Sequence, residues 1–191
     1  MAERGIAVDH STVHRWAIKL LPVLEKAFSR CKRAAGKSWR MDETYVKIRG
    51  EWRYFYRAVD KEGNTVDFLL RARRNRAAAQ RYFENSIQQN GLPETVTIDK
   101  SGVNLAALHA VNAWRDIPIK IRQVRYLNNA VEQDHQAIKR IIRPMLGFKD
   151  FRCASVILSG IEIMHMIAKG QMKHTGKIKP SAACQFHSPV T

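Results

Sequence analysis

The chain has 191 residues, 33 Lys and Arg against 17 Asp and Glu, a formal net charge of +16 and 45% hydrophobic residues. That apolar share fills the core of one α/β domain with a small appendage, which excludes a disordered chain. The charge exceeds what solubility requires, so the expected partner is a polyanion, nucleic acid ahead of an anionic membrane.

The opening MAERGIAVDH lacks the charged-then-apolar order of a secretory signal, which points to a reducing, cytoplasmic and nucleoid setting. STVHRWAIKLLPVLEKAFSRCKRAAGK then reads as helix. Ser11 or Thr12 caps it, Val13, Trp16 and Leu20 keep helical spacing, and Pro22 is expected to kink it or open a second segment. A basic linker, roughly Cys31 to Lys37, follows. From Trp39 the period changes to that of a strand: WRMDETYVKI, WRYFYRAVD and TVDFLLRA, joined by RGE and KEGN, predict three antiparallel strands. RNRAAAQRYFENSIQQNG predicts a helix stopped by Gly91, ETVTIDK a strand, LAALHAVNAWRD a helix and IPIKIRQVRY a strand. NAVEQDHQAIKRIIR then predicts a helix ending at Pro144, and DFRCASVILSGIEIMHMIAKGQ another. The apolar run Ser155 to Ala168 within the last carries Glu162 and His165 and reads as a buried helix too short for a bilayer, so no membrane is expected. The tail from Lys173 is basic, rich in small residues and expected to be loose. Cys31, Cys153 and Cys184 form no CxxC pair. Cys184 with His187 has a metal-like spacing but no second pair, so free thiols are expected.

Three carboxylates are out of place in this pattern. Asp42 shares a strand face with Thr44, Val46 and Ile48. Asp99 closes TVTID, at a strand end of the kind where open α/β sheets gather ligands. On the helix after Asn128 and Asn129, Glu132, Gln136, Lys139 and Arg143 form a polar face, and Val131, His135, Ile138 and Ile142 an apolar one. Glu132 can therefore face the strand ends. Each acid alone is more simply a turn cap or half of an ion pair. Together they disfavour ionisation unless cations neutralise them. Divalent Mg²⁺ would, and two ions about 4 Å apart serve phosphoryl transfer. The surrounding Lys and Arg would hold a phosphate backbone, with steep salt dependence.

MDETYVKI, WRYFYRAVD, NTVDFLLRARRN, TIDK, NNAVEQDHQAIKRII and LGFK, in that order over residues 39 to 172, resemble the bacterial insertion-sequence transposases of family six, in the Asp-Asp-Glu class. The resemblance implies an RNase H-like α/β core, a mixed sheet in the order β β β α β α β α with a C-terminal helix. It implies a catalytic, metal-binding triad of Asp42, Asp99 and Glu132 with Mg²⁺, or Mn²⁺ in its place, as two ions. Lys139 becomes a DNA contact, and Asn128, Asn129 and Arg143 lie beside the DNA. The substrates become the terminal inverted repeats and target DNA as duplexes, cut and joined by a homo-oligomer. ERGIAVDHSTVHRWAIKL resembles the turn and recognition helix of a helix-turn-helix, with His14, Arg15 and Lys19 toward the groove. Its upstream helices are not in the chain, which reads as N-terminally truncated. The interval from Asp99 to Glu132 is slightly short for the family, with the deletion expected near Asp116 to Pro118. The expected division is 1–36 partial helix-turn-helix and linker, 37–172 catalytic domain and 173–191 tail.

Simpler readings attach to the rest. Met164, Met166, Ile161 and Ile157 read as the packing stripe of a core helix, and His135 as a satisfied, partly buried histidine. Trp52, Tyr54 and Tyr56 read mainly as sheet packing, with base stacking the lesser reading. RARRNR, residues 71 to 76, leans toward phosphate contact. Two rival functions are a catalytically silent remnant that only binds DNA and a general RNA-binding protein. The second leaves the three acids unexplained.

Overall fold

The computed structural model describes residue 5 and residues 8–124, 129–173 and 181–187. Its elements are α1 (His10–Cys31), β1 (Ser38–Ile48), β2 (Glu51–Asp60), β3 (Thr65–Arg71), α2 (Arg76–Asn90), β4 (Thr95–Ile98), α3 (Gly102–Asn112), β5 (Lys120–Gln123), α4 (Asn129–Ile142), a 3₁₀ turn (Arg143–Met145), α5 (Phe151–Ala168) and α6 (Ala182–His187). They divide into two units, Ala34–Phe148 and Met1–Arg33 with Lys149–Thr191.

The larger unit is a five-stranded mixed sheet in the order β3-β2-β1-β4-β5. β1, β2 and β3 run antiparallel, whereas β4 lies parallel to β1 and β5 parallel to β4. The β1–β2 hairpin turns through Arg49 and Gly50, both at positive φ. That is the primed-turn conformation whose twist suits a tight hairpin. Asp60 closes the next hairpin: its Oδ1 accepts from the N–H of Glu62 at 3.0 Å and of Asn64 at 2.8 Å.

Alternation along the strands gives the sheet two buried faces. On one, Trp39, Met41, Tyr56, Val96 and Ile98 pack with Tyr82 and Phe83 of α2 and Leu108 of α3. Tyr56 and Tyr82 stack at 5.6 Å between centroids. Each large apolar side chain so buried contributes about 1.5–3 kcal/mol. On the other, α4 packs on β1 and β2. It buries Val131, His135, Ile138 and Ile142 and leaves Glu132, Gln136, Lys139 and Arg143 exposed, the division its spacing predicts.

In the smaller unit α1 packs against α5. Its cap is Asp9, not Ser11 or Thr12: the extended backbone of Asp9 lets its carboxylate accept from both of their N–H groups. Pro22 neither kinks α1 into two helices nor ends it. Contacts along α5 offset the roughly 3 kcal/mol that an interior proline costs. α5 is capped by Asp150, which accepts from the N–H of Cys153 at 3.0 Å. At 18 residues it is long and apolar enough to cross a membrane, longer than the run read from sequence. Core helices meet the same test, and Leu158, Ile163, Met166 and Ile167 are buried here, with Met164 exposed. Within the predicted tail, α6 sets Phe186 against Phe28 at 5.7 Å.

Candidate active site

The pleat of β1 directs Asp42 to the face of Thr44, Val46 and Ile48, all buried, and leaves its own side chain 20% exposed. Asp99 follows the last residue of β4, an interior strand, and its Oδ1 accepts from the N–H of Ser101 at 3.0 Å. Glu132 stands exposed in the first turn of α4. Burial pushes the Asp42 carboxyl up to about 7. The Glu43 N–H works against that rise, while the carboxylates of Glu43, Asp99 and Glu132 add to it. The structure thus brings the three predicted acids within electrostatic reach. Among the described residues no three His, Cys, Asp or Glu side chains converge tightly enough to hold an ion as they stand.

A polar network supports this cluster. The side chain of Glu43, 4% exposed, pairs with Arg74 and accepts from Asn104 Nδ2 at 2.7 Å. Arg74 also donates to Ser101 Oγ at 2.8 Å, and Ser101 in turn donates to Asp99. Burial raises Glu43, while Asn104 and Arg74 oppose the rise. The network joins β1 to the Asp99 turn. Within RARRNR, Arg74 is thereby engaged internally by two partners, while Arg73 and Arg76 are exposed.

His135 is not the satisfied histidine expected. Both ring nitrogens are buried without a hydrogen-bond partner. Burial, then Arg57 and Lys139, hold it down to about 3, so the ring is neutral. Arg57, opposite Asp42 in the β1–β2 register, is fully buried and pairs with Asp134 of α4 at 3.1 Å. It also donates to Thr65 Oγ1 at 2.9 Å. Sequence reasoning passed over Arg57, Asp134 and Glu43. The signal was present for Arg57: it alternates with Phe55 and Val59, and a cation on an apolar strand face calls for a carboxylate opposite.

Lys139 and Arg143 meet in one groove of the larger unit, together with Arg140 and the aromatic end of the β1–β2 hairpin. Asn129 is the exposed first residue of α4, and Asn128 lies outside the described residues. His14, Arg15 and Lys19 are exposed on α1, in the smaller unit. In the smaller unit too, Cys184 is a free, exposed thiol.

With this geometry in hand, comparison places the chain among known proteins. Residues 36–171 match a family described as a DDE domain, of the IS240 transposase type. The chain is 36% identical over 170 residues to the transposase for insertion sequence-like element IS431mec of Staphylococcus aureus, covering 88% of this chain and 75% of that protein. It is also 36% identical over 167 residues to the transposase for insertion sequence element IS257 in transposon Tn4003 of Staphylococcus aureus, covering 87% and 73%. Among solved structures it resembles the HTLV-2 integrase catalytic core domain in complex with magnesium. The trimeric form gives a TM-score of 0.53 at 15% identity, over 81% of this chain and 100% of that one. The dimeric form gives 0.52 at 17% identity, over 81% and 99%. The fold is therefore RNase H-like, as the family resemblance implied.

Proposed function

We propose, from the premise that this chain belongs to the DDE-domain transposases and is a DNA-cleaving and strand-transferring enzyme, that Asp42, Asp99 and Glu132 are its catalytic carboxylates. Its substrates are then the element's terminal inverted repeats and a target duplex. The observation that carries this is that Asp99, at the end of β4, and Glu132, at the start of α4, lie within electrostatic reach of Asp42 on β1, a carboxyl raised to about 7, in a chain of net charge +16. Folding gains nothing from like charges so placed.

The family is metal-dependent, and the donors here fit a hard divalent cation. All three are carboxylates, and an Asp42 that resists ionisation is what a cation would relieve. Asp42, Asp99 and Glu132 would hold two Mg²⁺ ions, or Mn²⁺ in their place. When bound, the ions supply Lewis acidity and neutralise charge on the attacking and leaving oxygens.

In the first step a water oxygen attacks phosphorus at the element's end. The bond from phosphorus to the 3′-oxygen breaks, freeing a 3′-hydroxyl and leaving a 5′-phosphate. That hydroxyl then attacks a target phosphodiester: it loses its proton, a new phosphorus–oxygen bond forms, and the target's own 3′-oxygen departs. Lys139 and Arg143 hold phosphates of the end DNA beside Glu132, with Asn128 and Asn129 leading into that helix. Arg74 and Ser101 keep Asp99 oriented. Residues 37–172 form the catalytic domain. Residues 1–36 form a DNA-binding segment and linker whose α1 presents His14, Arg15 and Lys19 to duplex, and 173–191 form a basic extension. Paired ends call for a homo-oligomer on DNA, in the cytoplasm and away from membranes.

The test is Mg²⁺- or Mn²⁺-dependent nicking of a duplex carrying the terminal repeat, by this chain and by Glu132→Gln. Nicking by the first alone supports the triad, equal nicking by both refutes it, and binding without nicking by either marks a silent remnant.

A further inference from the structure

The groove that gathers Lys139 and Arg143 has a second chemistry. Its volume is about 1030 Å³, and it is lined on one side by the end of the β1–β2 hairpin and on the other by the last turns of α4. The hairpin side is aromatic. Tyr45 and Tyr54 face each other in register at 5.3 Å, and Trp52 meets Tyr45 edge-on at 6.5 Å. The sheet-packing reading holds for Tyr56, which is fully buried, and for Tyr54, half-buried against the same core, and fails for Trp52, which is 60% exposed; Tyr45 is 46% exposed. The helix side supplies Lys139, Arg140 and Arg143, all exposed, and Lys47 sits over Trp52 at 6.0 Å from the ring centroid. Among the described residues no Asp or Glu lines the groove.

Exposed ring faces beside unbalanced cations suit a ligand that has flat apolar faces and a line of negative charge. We infer that the groove takes a short unpaired stretch of DNA, its bases stacked on Trp52 and Tyr45 and its phosphates on Lys139, Arg140 and Arg143; this rests on the reading of the chain as a DNA transposase. A paired base has both faces covered by its neighbours and gains nothing from these rings, whereas an unpaired base has a free face. The position fits. Glu132 and Lys139 share the exposed face of α4, separated by about 10 Å along its axis. Only a few nucleotides then separate the stacked base from the carboxylates, so the groove holds a strand that has frayed beside the point of cutting.

The test uses the full chain and fluorescence anisotropy at one salt concentration, with a blunt terminal-repeat duplex and the same duplex carrying a short single-stranded overhang. The overhang is expected to bind more tightly. Trp52→Ala should remove that gain, about 5- to 150-fold as expected for one stacked base, and leave blunt-duplex affinity unchanged. Trp52→Phe should retain most of it. Trp114→Ala, at a 94% exposed ring outside the groove, should change neither. Equal affinity for the two probes, or an overhang gain that survives Trp52→Ala, overturns the inference. So does loss of self-association in Trp52→Ala with overhang binding intact, which would make the groove a contact between copies. Failure of the triad is read separately, as nicking that does not depend on Glu132, because the overhang gain needs no cleavage.

Discussion

Nε2 of His135 stands 3.9 Å from Oδ2 of Asp42, and the two face each other without forming an ion pair. Burial is the leading cause on both sides: it raises Asp42 to about 7 and lowers His135 to about 3. For Asp42 the folded value lies above the ordinary 3.8. Its contribution to stability is therefore complete below about 4 and lost as pH rises through about 7. In chelator, Asp42→Asn is expected to be more stable than the parent at pH 8, by up to a few kcal/mol. The gap should close at pH 4 in urea titrations. Saturating Mg²⁺ should also narrow it at pH 8, since only the parent has the full set of ligands to bind.

His135 moves the other way. Its folded value lies below the ordinary 6.5, so its contribution is complete above that pH and lost as pH falls toward about 3. Because the ring is neutral and its nitrogens make no hydrogen bond, His135→Leu should lie within about 1 kcal/mol of the parent at pH 8. It should also resist acid unfolding better between pH 6 and pH 4. A large loss at pH 8 would show that the imidazole makes a polar contact the geometry does not contain.

The Arg57–Asp134 pair ties α4 to the sheet at 3.1 Å, with side-chain exposures of 0% and 11%. Removing one partner leaves a buried charge, so Asp134→Ala is expected to cost about 3–5 kcal/mol. Removing both, as Arg57→Met with Asp134→Leu, should recover most of that loss. Additive losses in the double variant would mean that the two charges are stabilised by other neighbours and not by each other.

The repeats of apolar residues made most of this fold legible. Period-two runs mark β1 to β3, and the i, i+3, i+4 pattern of α4 separates Val131, His135 and Ile138 from Glu132 and Lys139. What was hidden depends on pairs that are distant in sequence. Whether Arg74 points to solvent or to Glu43 is decided by how the turn after β3 passes β1, which no local pattern encodes. The exposure of Trp52 was hidden for a similar reason: alternation gives its side of the strand, but not that the hairpin end lies beyond the core over Tyr56. Asp9 outranked Ser11 as a cap because one residue of extended backbone decides the geometry.

Gly147 tests whether the groove is a built feature. Its φ is +101°, and an added Cβ would lie 3.0 Å from the carbonyl oxygen of Lys47. On either side of that approach, the Phe148 N–H donates to Lys47 O at 2.8 Å and the Arg49 N–H donates to Phe148 O at 2.8 Å. These bonds fasten the segment after α4 to the end of β1, and so fix Lys139 and Arg143 relative to Trp52. Gly147→Ala combines a disfavoured backbone with a clash against backbone, so a loss of about 1–3 kcal/mol is expected. Hydrogen exchange should show the amides of Phe148 and Arg49 losing protection while those of β4 keep theirs. The overhang preference should fall with them and blunt-duplex binding should persist. Unchanged protection at Phe148 would mean that the rim tolerates a side chain there and that Gly147 has no part in shaping the groove.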